Sequence, residues 1–283
     1  MNKNYSLLDQ EELKKCIKDH TYGKEHYMDP DATSEVLYQD LQQVWNRTEQ
    51  IVQFTEYRQM EYAEGKFCYN LFDAKKQRYS SDFLGLSIRK LQKAYQAGYA
   101  SLEELANYLE KTRILGGHIL WPVHPIPTIN TYRAGAKTYQ DRFDLFLEDI
   151  KNFYLSRGTK KCICKGFPSF VETRIIETNF FLQYGDGLAG FQNFVHAWKL
   201  EPFLYGYHTK KSIKEEEYYQ VLCLVHSDLA NGKVEIGNQY EENSKIDLQL
   251  MQKGNSETVK QNFRKFMSNT EIVIQEREAL LKS

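Results

Sequence analysis

The chain is short of most features that announce a function. Its 283 residues carry a net charge of −1, with 37 Lys and Arg against 38 Asp and Glu. So even a balance supplies no global basic field, which argues against general DNA binding or RNA coating. Only five cysteines occur, Cys16, Cys68, Cys162, Cys164 and Cys223, an odd number at scattered spacing. That is no disulfide framework, and the Cys162-Ile163-Cys164 pair has no second Cys or His pair at zinc spacing, so no metal site is expected. No apolar run approaches the roughly 18 residues of a membrane span. The opening MNKNYSLLDQEELKK lacks the apolar stretch of a signal peptide. The expectation is a cytoplasmic protein without membrane association. G-x-S-x-G and H-E-x-x-H are missing too, and Tyr184-Gly185-Asp186-Gly187 reads as a turn, since no second phosphate-loop element accompanies it. No cofactor is implied.

What is present is helical periodicity. Residues 34–46 carry Val36, Leu37, Leu41, Val44 and Trp45 on one stripe, with Thr33 or Ser34 as cap. Ser101 and Glu104 form a capping box for a helix whose Leu105 and Leu109 face inward. Thr138 and Asp141 give a similar start to a helix ending at Gly158, with Phe143, Phe146, Leu147, Ile150, Phe153 and Tyr154 as its apolar stripe. Pro168 opens a further run, and Ser212 with Glu215 opens one that ends at Gly232. The tail from Ser256 to Lys282 reads as helix broken near Ser268-Asn269. Strand candidates are short: Ile119–Trp121, Cys162–Cys164 and Val234–Ile236. The fold class predicted is mainly α, a single globular helical domain over residues 1–283 with a few short strands, and a polar, partly mobile stretch over 1–30. Hydrophobic residues at 41% and aromatics at 14% suit a large Tyr-rich core.

Proline is scarce, yet three of the six fall in residues 113–135, RILGGHILWPVHPIPTINTYRAG. Gly116-Gly117 permits positive φ or the close approach of another group. Pro122, Pro125 and Pro127 then stiffen an extended path into the Thr138 helix. Fixed loops on helical scaffolds are where sites are usually built, although a long connection laid across the core would look the same. Arg113 and His118 make an R-x-x-x-x-H like that of helical toxin-type ribonucleases, in which His moves a proton and Arg neutralises a phosphorane. With 11 arginines and seven histidines in the chain, chance supplies about one such pair. Asn130, Arg133, Lys137 and Arg142 gather at the start of the Thr138 helix, where free N–H groups suit a phosphate or carboxylate. Asp141, Asp144 and Glu148 fall opposite the apolar stripe and read as a solvated face, with Arg142 at the stripe's edge; the plain reading of Arg133 and Arg142 is salt bridges with such carboxylates. His196 and His226 read as hydrogen-bonded core residues.

Taken in order, MDPDATSEVLYQDLQQVW, YSSDFLGLSI, GGHI-x-x-P, TIN-x-x-R, DRFDL and GFPSFVETRIIETNFFL resemble a family of uncharacterised bacterial proteins carrying a domain of unknown function, over about residues 20–205. The resemblance implies no activity; it implies that the 116–137 loop and the helix after it belong together. Three functional expectations follow. The first is binding of a phosphorylated ligand, a nucleotide or RNA end, by Asn130, Arg133 and Arg142, with His118 as the acid/base if the protein is an enzyme. The second is a noncatalytic protein-interaction module that docks a partner or a second copy. The third is a toxin-like ribonuclease using Arg113 and His118.

Overall fold

Helical periodicity does not reveal the sheet of this fold. In the computed structural model, Phe54–Ala63 (β1), Lys66–Asp73 (β2) and Arg78–Phe83 (β3) form an antiparallel meander, completed by His118–Pro122 (β4) in the order β1-β2-β3-β4. The structure describes residues 4–5, 8–19, 33–47, 52–63, 66–123, 141–156, 162–163, 167, 171, 180–236, 251 and 256–283. The mainly α expectation holds in that helices dominate; it is corrected in the strands, four of which join in one antiparallel sheet. On β3, Tyr79, Ser81 and Phe83 are buried while Arg78, Ser80 and Asp82 are not, the period-two signature of a half-covered strand.

Two compact units divide the chain, Met1–Asn130 with Ile274–Ser283, and Thr131–Val273. The boundary falls inside the segment that the resemblance treats as one piece. In the first unit the helices are Gln10–Asp19 (α1), Glu35–Arg47 (α2), Ile88–Gln96 (α3) and Leu102–Thr112 (α4). Ser34 Oγ accepts the Leu37 N–H and so caps α2, as expected of that residue. The inward face of α2 is Leu37, Tyr38, Leu41, Val44 and Trp45; Val36 points outward instead, and Tyr38 takes its place. Helix α2 lies on β1 and β2, and the Tyr38 hydroxyl reaches over to accept the Ser81 N–H at 2.9 Å. The Ser101–Glu104 capping box of α4 is present with both of its hydrogen bonds, and Leu105 and Leu109 are fully buried.

The second unit holds Phe143–Ser156 (α5), Gly187–Ala197 (α6) and the first part of Glu257–Lys282 (α7), whose last residues belong to the first unit. The six expected apolar positions of α5 are all buried. Their rings join Phe181, Phe194 and Phe203 in edge and tilted contacts at 5.1–6.2 Å, so the high aromatic content of this unit is core. Three expectations fail here. Helix α5 begins at Phe143, because Asp141 adopts φ 63 in the left-handed region. The run from Ser212 to Gly232 keeps one α-helical turn, Glu215–Tyr218, and a 3-10 turn, Leu229–Asn231. Between them, Val221 and Leu222 bridge Leu204 and Ile236 in extended backbone, as suits β-branched and aromatic neighbours. The third failure is the break near Ser268-Asn269. Helix α7 is continuous for 26 residues, and the Asn269 side chain, buried inside it, donates to the Leu224 and Ser227 carbonyls and accepts from Leu229 N–H. Cys162 and Ile163 are not in a strand, and Ile236 contributes a single bridge. Among the described residues, no helix is long and apolar enough to cross a membrane.

Candidate functional site

The GGHI turn follows α4 directly. Leu115–Gly117 make one 3-10 turn, and His118 starts β4, paired with Phe83. Neither glycine has positive φ; both serve close approach. A Cβ on Gly116 would stand 2.3 Å from the Ile274 carbonyl oxygen, and one on Gly117 would stand 2.1 Å from that of Thr112. The polar groups of this turn are met by α7. Arg277 Nη1 donates to the carbonyls of Gly116 and His118 at 2.6 and 2.8 Å, and the Glu278 carboxylate accepts the Gly116 N–H. From another direction Tyr5 N–H donates to the Arg113 carbonyl at 2.8 Å, and the Tyr5 hydroxyl donates to Asp40. Burial first, and then Asp40, push the Tyr5 phenol well above its ordinary pKa.

His118 sits at 0% exposure, with Nδ1 3.2 Å from Ser81 Oγ and its ring against Tyr5 and Phe83. Arg113 is buried beside it, its guanidinium 3.9 Å from the centre of the Phe83 ring. Arg113 and His118 therefore do come together, through one shared aromatic ring. Ser81 and His118 lie at the distance of a nucleophile and its base. Both are sealed in the core, where a hydroxyl–imidazole contact satisfies two buried polar groups.

DRFDL builds a second polar centre in the other unit. Arg142 Nε and Nη2 donate in parallel to the two oxygens of Asp144 at 2.8 Å each, with both side chains 1% exposed. This is the fork-to-fork geometry in which a guanidinium is most fully matched by a carboxylate. Asp144 Oδ2 also accepts the Leu224 N–H, and the guanidinium lies over the Phe266 ring. The expectation of a solvated face is corrected, for Asp141, Asp144 and Glu148 are all buried. Glu148 lies 3.8 Å from Lys151, which donates to Gln220, and Asp149 accepts the Ile163 N–H. Desolvation, with the Asp144 charge second, pushes the nearby Cys223 thiol up to about 11, which keeps it protonated and unreactive at neutral pH.

Of the residues expected to form a ligand site, His118 belongs to the first unit and Arg142 to the second, while Asn130 and Arg133 lie outside the described residues. His196 is corrected: its side chain is 78% exposed and pairs with Glu201. Sequence reasoning missed Tyr5, Ser81, Arg277 and Glu278. A signal existed for the last two. Ile274, Arg277, Glu278 and Leu281 fall at the i, i+3, i+4, i+7 spacing of a buried stripe, so two charged residues stand at core positions.

A family of unknown function, DUF6994, is described by a model that matches residues 15–280. The chain belongs to that family. No curated protein and no solved structure matches it. Two of the sequence segments singled out above now have physical content. GGHI lets α7 close on the end of α4, and DRFDL places an ion pair at the start of α5. TIN-x-x-R lies outside the described residues.

Proposed function

We propose that this DUF6994 protein is a noncatalytic interaction module whose buried polar centres set its shape. One observation carries the reading: Arg142 is spent on Asp144 through two parallel 2.8 Å bonds inside the core. A guanidinium so matched would have to surrender a buried carboxylate before taking a phosphate, leaving Asp144 as an uncompensated charge. The burial of His118 and Arg113 supports the same reading against the ribonuclease one. The surface best suited to a partner chain is the β1–β2 hairpin. Strand β1 pairs with β2 from Phe54 to Ala63, whereas β3 pairs with β2 only at Leu71 and Phe72, and Phe67 is 45% exposed.

The test sets this reading against the phosphorylated-ligand one. Purified protein is melted with inorganic phosphate, pyrophosphate, nucleotides and 5′-phosphorylated RNA, and the RNA is examined for cleavage. No rise in Tm and intact RNA are expected. A ligand at a hundred times its Kd would add about 2.7 kcal/mol and be plain in the melt. A rise that Arg133→Ala abolishes, with the ligand-free Tm unchanged, would replace the interaction module with an anion-binding protein using Asn130 and Arg133. Cleavage lost in His118→Ala would replace it with a ribonuclease.

A further inference from the structure

The 113–118 turn is completed by residues from far along the chain, and the way it is completed has a mechanical meaning. Gly116 N–H, Gly116 C=O and His118 C=O are buried backbone groups that must find partners. All three find them in two adjacent side chains of α7, Glu278 and Arg277, which are themselves buried. The helix backbone is seated on Gly116 so closely that a Cβ there would meet the Ile274 carbonyl oxygen at 2.3 Å and the Glu278 nitrogen at 2.6 Å. Beside this contact lie the buried Arg113, its guanidinium over the Phe83 ring, and His118, its ring tilted against Phe83. The Arg277 guanidinium also lies over the Trp45 ring of α2, and Glu278 pairs with Lys282 one turn on.

We propose that residues 274–282 act as a latch on the 113–118 turn. With the latch closed, the Arg113–Phe83–His118 cluster is shut away from solvent. With it open, two carbonyls and one N–H lose their partners together, the turn separates from the helix, and the first unit opens as a cooperative block. This inference does not depend on the interaction-module reading, because it concerns access to the interior of the first unit, whatever the protein binds.

The test is hydrogen exchange with mass spectrometry on the full chain, wild type against Arg277→Ala. It is read together with carbethoxylation of His118 by diethyl pyrocarbonate. Removing a buried charged donor from two carbonyls should speed exchange in β3, β4 and the turn by about 100-fold or more. The amides of α5 and α6 should keep their wild-type rates. His118 should go from unreactive to modified, while His196, already 78% exposed, reacts equally in both proteins. Should Arg277→Ala fail to fold, Arg277→Lys and Gly116→Ala take its place. The first keeps the charge with a poorer fork; the second forces the turn off the helix. Each should give the same pattern at smaller amplitude. Equal acceleration in both units would overturn the latch, because the residues would then be supporting the whole fold. Unchanged exchange in the turn, or His118 as unreactive as in wild type, would overturn it as well.

Discussion

Both units bury arginine, and they hold it by opposite means. In the second unit Arg142 meets a carboxylate head-on, so charge cancels charge within one side-chain pair. In the first unit Arg277 meets two backbone carbonyls, while Arg113 meets the face of Phe83; dipoles and a ring quadrupole do the stabilising. The first arrangement is portable, since pair and neighbours could be exchanged for apolar groups of similar volume. The second is not, because carbonyls cannot be mutated away. A cation held by carbonyls ties two distant stretches of chain together by its geometry.

Three single substitutions and one double variant sharpen or break this contrast, the single ones taken from the largest effect downward. Arg142→Ala strands Asp144 in the core and should lower stability by about 3–5 kcal/mol, measured by urea unfolding. The double variant Arg142→Met with Asp144→Leu should recover much of that loss. Recovery will be incomplete because the Leu224 N–H then lacks its acceptor. If the double variant is no better than the single one, the portability of the second unit's centre is wrong. Asn269→Ala comes next. It removes partners from two carbonyls and one N–H by the same logic as Arg277 but without charge. A loss of about 2–3 kcal/mol is expected from the same unfolding curves; a loss under ~1 kcal/mol would show that backbone-held anchors owe their strength to charge. Ser101→Ala is the smallest, about 1 kcal/mol for an exposed cap, and gives the scale for what surface chemistry contributes.

How much of this was legible in the sequence depends on whether the signal is local. Caps and stripes are local, and the α4 and α5 apolar faces, with four of the five α2 positions, are found where the pattern puts them; Ser34 and Ser101 take their roles as caps, while Val36 turns outward. The meander was not read. In β1 polar residues fill both alternating sets, as in Glu56, Arg58, Gln59 and Glu61, and the adjacent Arg58 and Gln59 are both exposed, so no period of two is visible there. Asn269 was read as a helix breaker, since a polar amide competes with the backbone in isolation. Its partners at Leu224, Ser227 and Leu229 lie some forty residues away and turn that competition into an anchor. The same holds for the polar centres. The pull of Arg142 towards Asp144 could be read from a two-residue spacing, although the text of the sequence placed Asp144 in water. That Arg277 belongs to Gly116 could not be read at all, because nothing local joins positions 161 residues apart.

That separation sets a clock on the protein's birth. A ribosome adding about 5–20 residues per second needs about 10–30 s to carry synthesis from the GGHI turn to the arginine that closes it. Throughout that interval the meander, with Phe54, Leu71 and Phe83 destined for the interior, waits without the helix that will cover the turn. A nascent chain in that condition is a natural client for holding chaperones. A stop codon or protease cut ahead of Arg277 would leave a product that is synthesised but never sealed.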